Sequence, residues 1–190
     1  GNVPCSSIQQ EAFDRIFAAN KIVVVAAGNS TIDAGSFSPA NCDGVIVVGA
    51  TARDGRRASY SNFGSEVDIM APGGDNSNAL LSLGKDDNAS NGEYDYILQA
   101  GTSMASPQIA GIAALMKTLE PGLSQSQVLV ALKSTARVLT NDQCDAGASG
   151  MTLVSSDCGA GLVDAARALS AINTAPVPEP TPTPNPTPVE

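Results

Sequence analysis

One stretch of the 190-residue sequence has residue types and spacing suited to covalent chemistry. It is Gly101-Thr102-Ser103-Met104-Ala105-Ser106-Pro107, followed by an apolar run to Leu119 with helical spacing. A glycine turn leading into a helix sets Ser103 in the first turn, beside backbone N–H groups that lack intrahelical partners and at the positive end of the dipole. A hydroxyl so placed is a candidate nucleophile; read alone, it is more readily a helix N-cap. A serine nucleophile near pH 7 needs a base within hydrogen-bond reach. The chain has no histidine, and no other residue replaces imidazole convincingly.

The elements that must position Ser103 follow from the hydrophobic pattern. Ser7 and Gln10 have the spacing of a capping box, and Ile8, Ala12, Phe13, Ile16 and Phe17 recur at three and four, which predicts a helix with one apolar face. Ile22–Ala27 and Val45–Ala50 are continuous apolar runs, expected in the middle of a parallel sheet covered by helices. Val67–Met70 reads as a short strand, and Tyr94–Leu98 as a hairpin partner after the polar stretch 75–92. Pro107 removes a hydrogen bond to the Ser103 carbonyl, predicting a distorted first turn. Ser124 and Gln127 form a second capping box, with Leu123 and Val128 as its staple, and a last helix runs to about Ile172. The pattern is α/β: a parallel sheet sandwiched between helices. Residues 1–173 form one domain portion, and the Pro/Thr-rich 174–190 reads as an extended linker.

Composition narrows the function. A net charge of −9 with ten Lys and Arg excludes nucleic acid and disfavours anionic membrane surfaces. No apolar run is long enough to span a bilayer. Cys5, Cys42, Cys144 and Cys158 contain no CxxC pair, which argues against zinc. Of the three pairings, Cys5–Cys42 with Cys144–Cys158 is favoured because neither loop crosses the domain centre; four free thiols are the alternative. A short-loop disulfide would stabilise by about 3 kcal/mol and implies a secreted or periplasmic setting.

The string Gly101–Gly111 resembles the nucleophile motif of subtilisin-like serine proteases, the subtilases of peptidase family S8. Ala26-Ala27-Gly28-Asn29 resembles their oxyanion segment, Tyr60–Gly64 and Asp68–Gly73 the stretches between, and Cys158–Gly161 the opening of the last helix. The resemblance covers roughly residues 1–172 in the family's order and implies a subtilisin-like sheet that is incomplete at its N-terminal side. It implies that Ser103 forms an acyl-enzyme with a peptide carbonyl, that Asn29 and the Ser103 N–H receive the oxyanion, and that Ala26, Ala27 and Gly28 line the pocket for the substrate side chain. Gln108 departs from the histidine common after the proline, which bears on packing rather than chemistry. The family's Asp and His are expected upstream, on a missing segment or a separate chain, and this chain alone is expected to be nearly inert. The alternative is an inactive, polypeptide-binding subtilase-like module. The chemistry needs no cofactor. Structural calcium is common in the family, and Asp75–Asn78 or Asp86–Asn88 offer oxygen ligands, but solvated acidic loops explain them equally and none is assigned.

Overall fold

The computed structural model describes residues 1–85, 94–146 and 152–174. Its centre is a parallel sheet in the order β1 (Val24–Ala26), β2 (Ile46–Thr51), β3 (Ile69–Pro72). Val24 pairs with Ile46, and Val48 with Ile69. All six residues of β2 are buried, which is why this run carries no polar alternation. Its side chains divide by parity. Ile46, Val48 and Ala50 enter one apolar cluster with Ile109, Ile112 and Met116, while Val47 joins Val25, Ala27 and Met70 in the other. Each fully buried Ile or Val side chain contributes roughly 1.5–3 kcal/mol, so β2 is the main apolar anchor of both layers.

Helices α2 (Thr102–Leu119), α3 (Gln125–Thr135) and α5 (Ala165–Thr174) cover the first face. Phe13 and Phe17 of α1 (Ser7–Ala18) pack against the second cluster. An antiparallel hairpin, β4 (Leu80–Lys85) with β5 (Tyr94–Gln99), leads into α2. The molecule is thus an α/β protein with an open parallel sheet.

Several expectations need adjustment. Ser6, not Ser7, caps α1, accepting from Gln9 N at 3.2 Å. Gln10 is thereby released to bond with Asp14 and with the Asp43 carbonyl. The apolar face of α1 is only partly used: Ile8 is 80% exposed and Ile16 is exposed as well. β3 begins two residues later than expected and runs through Pro72, whose missing N–H is harmless at the strand's last residue. Helix α2 continues through Pro107. The Ser124–Gln127 capping box is present at α3. A short helix, α4 (Asn141–Asp145), was not expected, although Thr140 and Gln143 have capping-box spacing and do form one. β1 reads as a middle strand yet forms the edge of the described sheet. Cys5 is bonded to Cys42 and Cys144 to Cys158, the pairs favoured from the sequence. The Asp86–Asn88 run and the linker beyond Thr174 lie outside the described residues.

Candidate active site

The turn before α2 is strapped to the C-terminal end of the sheet. Gly73 N donates to Thr51 O and Gly101 N to Gly73 O, both at 2.9 Å, so the ends of β2 and β3 fix where the helix begins. Tyr60 Oη donates to the carbonyls of Gly73 and Gly74 at 3.0 and 2.7 Å. Burial pushes this phenol up to about 12; the nearby Gly101 N–H opposes the shift, and the charge of Asp75 adds to it. Tyr60 therefore acts as a neutral donor at ordinary pH.

Ser103 lies exposed in the first turn of α2. The N–H groups around it are unequally used. Met104 N and Ala105 N both reach Gly101 O, at 3.0 and 3.3 Å. Thr102 N donates to Asn29 Oδ1 at 2.9 Å. The N–H of Ser103 has no acceptor among the described residues.

Asn29 reaches the same place from β1. Its Oδ1 accepts a second bond from Thr102 Oγ1 at 2.8 Å, and that hydroxyl in turn accepts from Gly28 N at 3.2 Å. An amide whose oxygen is held by two donors must present its NH2 on the other side. Here Nδ2 sits beside Gly101, 3.4 Å from where a Cβ on that glycine would be. An exposed hydroxyl, an unused backbone N–H and an oriented amide donor therefore converge at one helix start. Such a set can receive negative charge developing on an oxygen next to Ser103.

The remaining residues expected at the site are placed as follows. Ala26 is half-buried at the end of β1, whereas Ala27 is wholly buried in the core. Gly28 is buried with φ +105°, so a substrate side chain could meet Ala26 and backbone here but not the Ala27 methyl. Gln108 donates to Pro72 O at 2.6 Å and to Met104 O at 2.9 Å, tying α2 to the end of β3. Asp75 accepts from Ser77 N and Asn78 N, closing its own turn, and these bonds hold its carboxyl below the usual range. No cluster of three metal-ligating side chains occurs among the described residues. Thr102 and Asn62 were not singled out from the sequence. Thr102 could have been, since a hydroxyl next to the nucleophile is a ready partner for a nearby amide. Asn62 lies in the recognisable Tyr60–Gly64 string, but nothing in that string tells its role, because its partners lie some thirty residues away.

The subtilase family profile matches residues 2–161, and the chain belongs to that family. It is 39% identical over 172 residues to an extracellular protease of Xanthomonas campestris pv. campestris, covering 90% of this chain and 27% of the relative. Subtilisin DY of Bacillus licheniformis is 40% identical over 134 residues, covering 69% of this chain and 45% of that protein. A solved protease structure from Pseudoalteromonas arctica superposes with a TM-score of 0.80 at 37% identity, covering 90% of this chain and 49% of the other. The chain thus spans half or less of the length of each of these relatives.

Proposed function

We propose that this chain carries the nucleophile and oxyanion donors of a subtilisin-like serine endopeptidase whose Asp and His come from the upstream part of the same domain. The carrying observation is the Thr102 clasp, which turns the Asn29 amide toward the place where the Ser103 N–H is also unused. In the reaction, Ser103 Oγ attacks the scissile carbonyl carbon as its proton passes to the upstream imidazole. The carbonyl oxygen becomes an oxyanion and accepts from Asn29 Nδ2 and Ser103 N. Collapse breaks the C–N bond, the imidazolium proton leaves with the amine, and water then hydrolyses the Ser103 ester by the same route. Without the base, the template retains only about 10³–10⁴-fold acceleration over water.

Two features of the fold support the upstream partner. Ile46 N donates to Val23 O and Ala27 N to Val48 O, so alternate residues of β1 face β2 and the backbone groups of Val24 and Ala26 face the open edge. Beside that edge lies a groove of about 530 Å³ whose apolar lining includes Ile22, Val24, Ala110 and Ala114. Protein substrates and export to an oxidising compartment complete the proposal, in keeping with two disulfides and with relatives named as extracellular proteases.

The test is labelling by a fluorophosphonate. The chain alone should label barely, the chain joined to its upstream segment strongly, and Ser103→Ala not at all. No labelling of the joined protein would sink the proposal. An isolated chain that folds cooperatively and binds a polypeptide regardless of Ser103→Ala would favour the binding-module reading instead.

A further inference from the structure

We infer that Asn62 is a positioning residue for the oxyanion site, acting through Asn29; the inference rests on the protease reading above. Asn62 is wholly buried on the loop between β2 and β3. Its side chain bridges both ends of the segment that carries Asn29. Nδ2 donates to Ala27 O at 2.8 Å, while Oδ1 accepts from Ser30 N at 2.9 Å and from Ile32 N at 3.2 Å. The backbone N of Asn62 adds a bond to Gly28 O at 2.9 Å. One residue therefore holds the main chain immediately before and after Asn29.

The fit is steric as well as polar. A Cβ on Gly28 would collide with Asn62 Nδ2 and lie 2.9 Å from the Phe37 ring. With φ at +105°, Gly28 allows the loop to settle directly onto the amide. Asn62 is itself immobilised: Ser61 Oγ accepts from Ala50 N of β2 and donates to Asn62 O, both at 3.0 Å. The Arg57 guanidinium takes Ser61 O at 2.8 Å.

The division of labour is then clear. Thr102 fixes the amide oxygen of Asn29, and Asn62 fixes the backbone from which that side chain springs. A donor gains most in the transition state when its position is set before the reaction begins. Asn62 is placed to touch no reacting atom: its effect on the oxyanion passes through Asn29, whereas its hold on the Ala27 and Gly28 carbonyls would register in KM.

That dependence is what an experiment can read. In the complete protease domain, this chain together with its upstream part, Asn62→Ala should lower kcat on a peptide p-nitroanilide by about 10- to 100-fold and change KM less than about threefold. In an Asn29→Ala background the same substitution should cost less than about twofold more, because no amide remains to be misplaced. Equal losses in the two backgrounds, or an unchanged kcat, overturn the inference while the protease reading stands. If hydrolysis survives Ser103→Ala, the protease reading falls and this inference with it. Should Asn62→Ala not accumulate as folded protein, Asn62→Asp carries the same comparison. It keeps the acceptor for Ser30 and Ile32 but loses the donor to Ala27.

Discussion

At the scale of single residues, the Gly101 turn depends on a neutral phenol. Tyr60 holds the Gly73 and Gly74 carbonyls, and Gly73 in turn receives Gly101. The phenol's value in the folded protein, about 12, lies above the ordinary 10.0, so folding favours the protonated form. Its contribution to stability is whole below pH 10 and is lost as the pH rises toward 12. Tyr60→Phe should therefore lower Tm at neutral pH through loss of a hydrogen bond worth about 1 kcal/mol. It should also flatten the alkaline decline, so that thermal melts of the two proteins converge above pH 10. Parallel curves across that range would contradict the assignment. Residues of this kind divide cleanly in legibility. Ser103 and Asn29 could be read because their neighbours form long, recognisable strings. Asn62 and Tyr60 lie in a recognisable string too, Tyr60–Gly64, but their roles could not be read from it, because what they do depends on carbonyls and N–H groups that only the folded chain brings within reach.

At the scale of elements, periodicity located β2, which is buried throughout, and most of α2, whose Ala105, Ile109, Ile112, Ala113 and Met116 form one buried face. It overstated α1, whose Ile8 and Ile16 match the pattern but reach solvent. It missed α4, too short to show a period and visible only through its cap. That short helix has a structural task. The Arg57 guanidinium, 1% exposed, donates to Cys144 O at 2.7 Å, Asp145 O at 3.0 Å and Ser61 O at 2.8 Å, and lies 5.4 Å from the Phe63 ring centroid. Burial lowers its pKa and the charge of Asp145 opposes the shift. The Cys144–Cys158 disulfide staples the end of α4 against which this guanidinium bonds. Arg57→Leu would leave several buried carbonyls without donors, each costing about 1–3 kcal/mol. The expected loss is about 3–5 kcal/mol, read by denaturant unfolding of the joined domain under oxidising conditions. A loss below 1 kcal/mol would mean that water replaces the guanidinium and that the loop bearing Ser61 and Asn62 is held by other means.

At the scale of the whole molecule, the telling feature is a strand built for the middle of a sheet and found at its edge. Val24 joins one apolar cluster and Val25 the other, so β1 is covered on both faces while Val24 and Ala26 turn their backbone groups outward. An apolar edge of this kind invites pairing and is seldom left open in a soluble domain. Helix α2 offers the adjoining wall. Its buried side is spent on all three strands of the sheet, but Ala110, Gly111, Ala114 and Leu115 face out, small except at Leu115, as close approach of another element requires. A charge at Ala114 would thus be tolerated by this chain and not by a segment packed on it, since a buried unpaired carboxylate costs several kcal/mol. On the proposed reading, Ala114→Glu should suppress the labelling of Ser103 expected when the upstream segment is present, although position 114 lies more than two helical turns beyond Ser103. Arg167→Glu on α5 is the control, because its partner Asp164 is 3.6 Å away in a largely exposed surface pair of little worth. Labelling should fall with Ala114→Glu and hold with Arg167→Glu, measured on complexes formed at equal concentrations of the two parts. If both substitutions leave labelling intact, the upstream segment does not dock on the β1 edge, and the base must reach Ser103 from another side of the molecule.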